Sequence, residues 1–143
     1  MEKNYHALVD DQIFMGGAAD VKEMITEEHC DVIVDLREEA LESSYPQDNV
    51  TWIHVPIGDN AEKPQEELFI EAINHVVNAY QSGKKVGFHC GGGKGRTGAV
   101  AIGTLITLGI APSIEAAEQL AKSIRPVIQV RPPQREALEK LFE

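Results

Sequence analysis

Cysteine is scarce in this chain: Cys30 and Cys90 are the only two in 143 residues, too few for a disulfide framework. Positive charge is scarce as well. Lys and Arg number 13 against 23 Asp and Glu, a net charge of −10, which argues against a general binder of nucleic acid or anionic membrane, since either needs a basic face. A small local anion site stays open. Long apolar runs are also missing. The longest uncharged run, Thr97–Ile114, is broken by Gly98, Gly103, Gly109 and Pro112. A membrane-spanning helix needs about 20 mostly apolar residues, so this run reads as a buried core helix. The first residues, Met1 to His6, carry no apolar signal region, and the expected setting is cytoplasmic and reducing. No repeat, low-complexity tract or linker divides the chain, so a single domain over 1–143 is expected. With 43% apolar residues, close to the ordinary globular share of about 45–50%, the chain can build a real core.

Along the chain, Gln12–Met15 reads as a short strand ended by Gly16 and Gly17, and Ala18–Glu28 reads as a helix. Val32–Leu36 is an apolar run suited to a strand buried on both faces. The polar stretch Arg37–Asn49 reads as loop, and Thr51–Ile57 as a second central strand closed by Pro56. Pro64 opens a helix whose apolar positions from Leu68 to Tyr80 recur at helical spacing, and Gly83 ends it. Lys85–His89 reads as a third strand, followed by a glycine-rich turn and a helix through about Leu108. Ser113 looks like the N-cap of a helix to Ser123, and Pro133 opens a last helix to Phe142. Strands alternating with helices predict an α/β fold, a single mostly parallel central sheet flanked by helices.

The informative stretch is His89-Cys90-Gly91-Gly92-Gly93-Lys94-Gly95-Arg96-Thr97-Gly98. It lies between a predicted strand and a predicted helix, where free backbone N–H groups and the helix dipole favour an anion. Glycines let the backbone curl around that anion. Arg96 supplies a planar fork for two phosphate oxygens. Cys90, at the mouth of this electropositive turn, is expected to ionise below the ordinary thiol range. A thiolate held against a phosphate is a nucleophile aimed at phosphorus.

The spacing of Cys90, five residues, Arg96 and Thr97 resembles the signature loop of the cysteine-dependent protein tyrosine phosphatases, and the full string looks most like the dual-specificity branch. Ile13–Gly17 resembles that family's opening strand and turn, Val32–Leu36 its first core strand, His54–Asp59 the strand and loop that deliver its general acid, and Gln134…Leu138…Phe142 its C-terminal helix. The resemblance implies a dual-specificity phosphatase-like fold and hydrolysis of phosphate monoesters through a cysteinyl-phosphate intermediate. In it Cys90 is the nucleophile, and Arg96 with the amides of Gly91, Gly92, Gly93, Lys94 and Gly95 holds the phosphate. Asp59 is acid and then base. Thr97 steadies the departing thiolate, and His89 orients the cysteine backbone. It implies no cofactor and no metal. The expected partner is a phosphorylated protein or a small phosphomonoester, with no nucleic acid and no stable membrane association.

Other readings compete. Asp35 and Asp48 are rival acids. His54 reads as a strand histidine. Gln129 and Gln134 resemble water-positioning glutamines of the tyrosine-specific members but stand five apart, and a cap or surface role competes. Lys94 resembles a loop lysine of the phosphoinositide 3-phosphatases, which carry a second lysine where this chain has Gly91, so an inositol phosphate substrate is an alternative. A non-catalytic phosphate-binding module on the same fold is another. Gly93–Gly98 also fits G-x-G-x-x-G, yet the strand with a ribose-binding acid that a dinucleotide site needs is not predicted after it. Cys30 precedes its strand while Cys90 ends its own. In parallel strands the two sit at opposite ends of the sheet, beyond the ~7 Å limit of a disulfide, so Cys30 reads as structural.

Overall fold

The computed structural model describes residues 4–58 and 60–143. Five strands, β1 (His6–Val9), β2 (Ile13–Gly17), β3 (Val32–Arg37), β4 (Thr51–Ile57) and β5 (Val86–Cys90), form one sheet in the order β1-β2-β5-β3-β4. β2, β5, β3 and β4 run parallel, and β1 pairs antiparallel with β2. The helices are α1 (Val21–Thr26), α2 (Gln65–Gln81), α3 (Gly95–Thr107), α4 (Ile114–Ile124) and α5 (Pro132–Phe142), and a 3-10 turn at Ala18–Asp20 leads into α1. The mixed α/β architecture expected from the sequence is the one found.

Strand alternation sends side chains to opposite faces. Ile13, Met15, Val32, Val34, Leu36, Val86, Phe88 and Cys90 enter the large core built with α2 to α5. Phe14 and Ile33 enter a smaller cluster with Val21 and Met24 of α1, Tyr5 and Cys30. β5 therefore sends Cys90 toward the main helical layer and its neighbour His89 to the other face. α2 and α3 approach closely because Gly103 has no side chain: a Cβ there would overlap Ile73.

Three expectations need correction. β1 was not expected; its four residues, His-Ala-Leu-Val, are too few to show a period. The helix expected over Ala18–Glu28 is a 3-10 turn and six residues of α-helix. Thr51–Ile57 is not central but the edge strand, and Pro56 lies inside it. A proline has no N–H for a ladder, and an edge strand needs none on its open side.

Candidate active site

Cys90 is the last residue of β5 and is almost fully buried, 3% exposed. The chain then turns through residues 91–94 into the N-terminus of α3. Three carbonyls of this turn are bound from outside it. Ala18 N donates to Gly91 O at 3.0 Å. Arg125 Nε donates to Gly93 O at 2.8 Å. Gln129 N donates to Lys94 O at 3.2 Å. Because a trans peptide points its N–H away from its C=O, these three bonds turn the N–H groups of Gly92, Lys94 and Gly95 to the other side of the loop, an arrangement able, with the first turn of α3, to hold an anion. Gly93 sits at φ +71°, where only glycine is unstrained, and a Cβ there would meet the Arg125 guanidinium and the Gly16 backbone.

The Thr97 hydroxyl lies 3.1 Å from Cys90 Sγ and 3.1 Å from Gly16 O. Burial pushes the Cys90 thiol up, but the Thr97 hydroxyl and N–H, the Arg96 charge and the Gly93 N–H outweigh it, and the thiol titrates below its ordinary value. Cys30 is the contrast: burial pushes it up to about 12. Both cysteines are free. Cys30 lies beside Gly87, near the start of β5, whereas Cys90 is at its end.

Arg96 is anchored on one edge. Nη1 and Nη2 donate to the Glu39 carboxylate at 2.9 and 3.1 Å. Nη1 also donates to Ile57 O at 3.0 Å and, more weakly, to Leu36 O at 3.5 Å. A guanidinium has five N–H groups. Among the described residues these bonds engage both hydrogens of Nη1 and one of Nη2; Nε–H and the other Nη2–H lie on a second edge, where the side chain also meets Cys90, a pair able to grip two oxygens. The Arg96 guanidinium holds the Glu39 carboxyl down at about 2.

Behind Cys90, His89 Nδ1 donates to Cys90 O at 3.0 Å, and burial keeps the imidazole below its ordinary pKa against the pull of Asp35. Asp35 is wholly buried. It accepts two bonds from the Arg37 guanidinium at 2.9 and 2.8 Å and one from Trp52 Nε1 at 3.0 Å. Burial pushes its carboxyl up, and the Arg37 and Trp52 bonds and His89 bring it below the ordinary range. Asp35 is thus an ionised structural carboxylate on the far face of the sheet from Cys90. Asp48 lies in a separate groove with Tyr45 and Trp52.

Cys90, Gly92, Lys94, Gly95, Arg96 and Gln134 open into one cavity of about 400 Å³, together with Glu38, Ile57, Gly58, Gln65, Arg131 and Pro133. Gly91 and Gly93 complete the turn. Asp59 lies outside the described residues; Gly58 before it lines the cavity and accepts from Gln65 Nε2 at 2.8 Å. Gln134 packs over Gly95, and its Oε1 caps α5 by accepting from Arg131 N at 2.9 Å. Gln129 is exposed and outside the cavity lining; it meets the loop through its main-chain N–H. His54 Nε2 is 2.6 Å from Arg37 O and its ring stacks on Trp52, which is a strand role.

Sequence reasoning missed four residues. Glu39 and Glu38 stand in the stretch that reads as polar loop. Glu38 faces the cavity, and its Oε2 is buried with no hydrogen bond among the described residues. Gln65 and Arg125 looked like ordinary helix positions; the available signal for Arg125 was an arginine at a helix end just before a proline. Among the described residues, no three His, Cys, Asp or Glu side chains gather into a cluster that could hold a metal, and no helix is long and apolar enough to cross a membrane.

A strand-to-helix nest holding a buried, acidified thiol beside an anchored guanidinium, on this sheet order, is the architecture of the dual-specificity type of cysteine phosphatase. The family model described as Tc-R-P, polymorphic toxin system, DSP-PTPase phosphatase, matches residues 11–110. The chain belongs to that family. Human DUSP28 superposes with a TM-score of 0.80 at 20% identity, covering 98% of this chain and 93% of its own. Tk-PTP in its active form superposes with a TM-score of 0.77 at 26% identity, covering 99% and 97%. PTPMT1 gives a TM-score of 0.76 at 20% identity, covering 95% and 92%. No curated protein is similar enough to match.

Proposed function

We propose that this protein is a cysteine-dependent phosphatase acting on phosphotyrosine, with phosphoserine and phosphothreonine as further substrates, through a cysteinyl-phosphate intermediate. The observation that carries the reading is the Cys90 thiol, buried and bonded by Thr97 at 3.1 Å, at the base of a cavity edged by Arg96. In the first step the Cys90 thiolate attacks phosphorus, the P–O bond to the leaving group breaks, and the Asp59 carboxyl protonates the departing oxygen. The second edge of Arg96 and the inward N–H groups stabilise the equatorial oxygens. In the second step the Asp59 carboxylate takes a proton from water, the water oxygen attacks phosphorus, and the S–P bond breaks. Thr97 then donates to the returning thiolate. His89 acts by holding the Cys90 carbonyl. Family membership and the Tk-PTP likeness support this reading.

Lys94 and Arg131 favour a second reading, an inositol phosphate substrate, since both line the cavity and neither has an ion-pair partner within 4.0 Å among the described residues. One experiment tests the activity: hydrolysis of a small aryl phosphate, with and without chelator, by wild type and Cys90→Ser. Turnover that survives chelator and vanishes in Cys90→Ser supports it. Turnover that persists in Cys90→Ser, or none in the wild type, refutes it. A panel of phosphopeptides and phosphoinositides then separates the two substrate classes.

A further inference from the structure

We propose that Arg125 is a positioning residue for the loop that carries the nucleophile: from behind the loop it fixes the peptide joining Gly93 to Lys94, so that the Lys94 N–H is turned into the loop, and it sets a positive charge behind Cys90. The proposal rests on the phosphatase reading above. Arg125 follows α4 and is 5% exposed. Its Nε donates to Gly93 O at 2.8 Å, and its Nη1 reaches His6 Nδ1 at 3.0 Å and Asn4 O. One guanidinium thus ties the chain end before β1, the end of α4 and the phosphate-facing loop together. The peptide held from behind joins Gly93 to Lys94, so the N–H it carries is that of Lys94, while the Gly93 N–H one peptide earlier bonds the Cys90 sulfur. A peptide is planar, so fixing the oxygen fixes the hydrogen.

The charge needs its own explanation. All three acceptors of Arg125 are neutral, and no carboxylate lies within 4.0 Å of it among the described residues. A neutral amide could satisfy Gly93 O equally well, and a buried cation without a partner is unfavourable. Asp20 acts on it at longer range, and so does Cys90. A cation behind the loop is therefore placed to favour the thiolate, and later the bound dianion, from the side opposite Arg96. Among the described residues, the charged and titratable groups around the sulfur are Arg96 and Lys94 at the start of α3, Glu38 and Glu39 after β3, Arg131 before α5, His89 from β5, Asp20 from the turn after β2, and Arg125, with His6 of β1 on Arg125 itself.

The test reads the thiol without turnover: the rate of Cys90 alkylation by iodoacetamide against pH. In Arg125→Gln the midpoint is expected to rise by about one pH unit. In Arg125→Lys, which keeps charge but cannot hold all three acceptors in one fork, it is expected to rise by less, with vanadate inhibiting several-fold more weakly than in wild type. If Arg125→Gln does not fold, Arg125→Lys decides alone. Midpoints equal to wild type in the folded variants, with only thermal stability reduced, overturn the proposal and leave Arg125 a structural residue. A wild type with no aryl phosphate turnover and an ordinary thiol midpoint instead overturns the phosphatase reading.

Discussion

Thr97→Val isolates one hydrogen bond. Thr97 is wholly buried, and valine keeps its shape while removing the hydroxyl that lies 3.1 Å from Cys90 Sγ. A hydrogen bond to a charged group contributes about 1.5–3 kcal/mol. One pKa unit is about 1.4 kcal/mol, so the Cys90 thiol is expected to rise by roughly one to two units. The same energy bears on the second step, where the thiolate leaves phosphorus. A barrier raised by that much slows breakdown of the intermediate by about tenfold to a hundredfold. The first step suffers less at a pH where the thiolate is still formed. Rapid mixing with an aryl phosphate at such a pH is therefore expected to show a burst of phenol close to one equivalent, then a slow steady state. A fall in kcat with no burst, the alkylation midpoint unchanged, refutes the assignment of this hydroxyl to the thiolate and leaves it bonded to Gly16 O instead.

Asp59, Glu38 and Glu39 give separate expectations. Asp59→Asn is expected to slow alkyl phosphates with poor leaving groups by about a hundredfold and activated aryl phosphates far less; if Glu38→Gln gives that pattern and Asp59→Asn does not, the acid is Glu38. Glu39→Gln releases one edge of Arg96 and is expected to raise KM several-fold. Because the folded-state pKa of Glu39 lies below its ordinary 4.5, at about 2, its contribution to stability is present above about 4.5 and is lost as pH falls toward 2. With the side chain 58% exposed, solvent screening leaves this at about 1 kcal/mol or less, measurable as a smaller acid-induced loss of stability in Glu39→Gln.

The parts of this molecule that were legible in its sequence are those set by local chemistry. The largely apolar runs of β3 and β5, the periodic face of α2 and the run from Cys90 to Gly98 each declare themselves locally. The site's supports do not. Glu39 meets Arg96 across 57 positions, and Arg125 meets Gly93 across 32. Nothing near Glu39 or Arg125 in sequence marks either as part of this site, because the meaning of each comes from the strand order that brings it there. The edge position of β4 is of the same kind: Pro56 was consistent with a strand's end or a strand's open side, and only the sheet order decides.

An anion site in a chain of net charge −10 raises a question of range. At physiological salt the Debye length is about 8 Å, so most of those charges are screened from a ligand in the cavity. The Arg96 fork and the inward N–H groups act at contact and are not. At about 0.01 M salt the Debye length is about 30 Å, and the whole net charge then repels an incoming phosphate dianion. The expected result is that kcat/KM for a phosphopeptide rises as salt increases from about 0.01 to about 0.1 M, with kcat nearly constant, because encounter and not chemistry is relieved. Lys94 and Arg131 pull the other way: as cavity-lining cations without ion-pair partners among the described residues, they attract at intermediate range, and screening weakens them. A kcat/KM that falls steadily from the lowest salt would mean that these two cations outweigh the rest of the surface. In that case Arg131→Gln should flatten the fall, and the second reading, a substrate carrying more than one phosphate, becomes the stronger one.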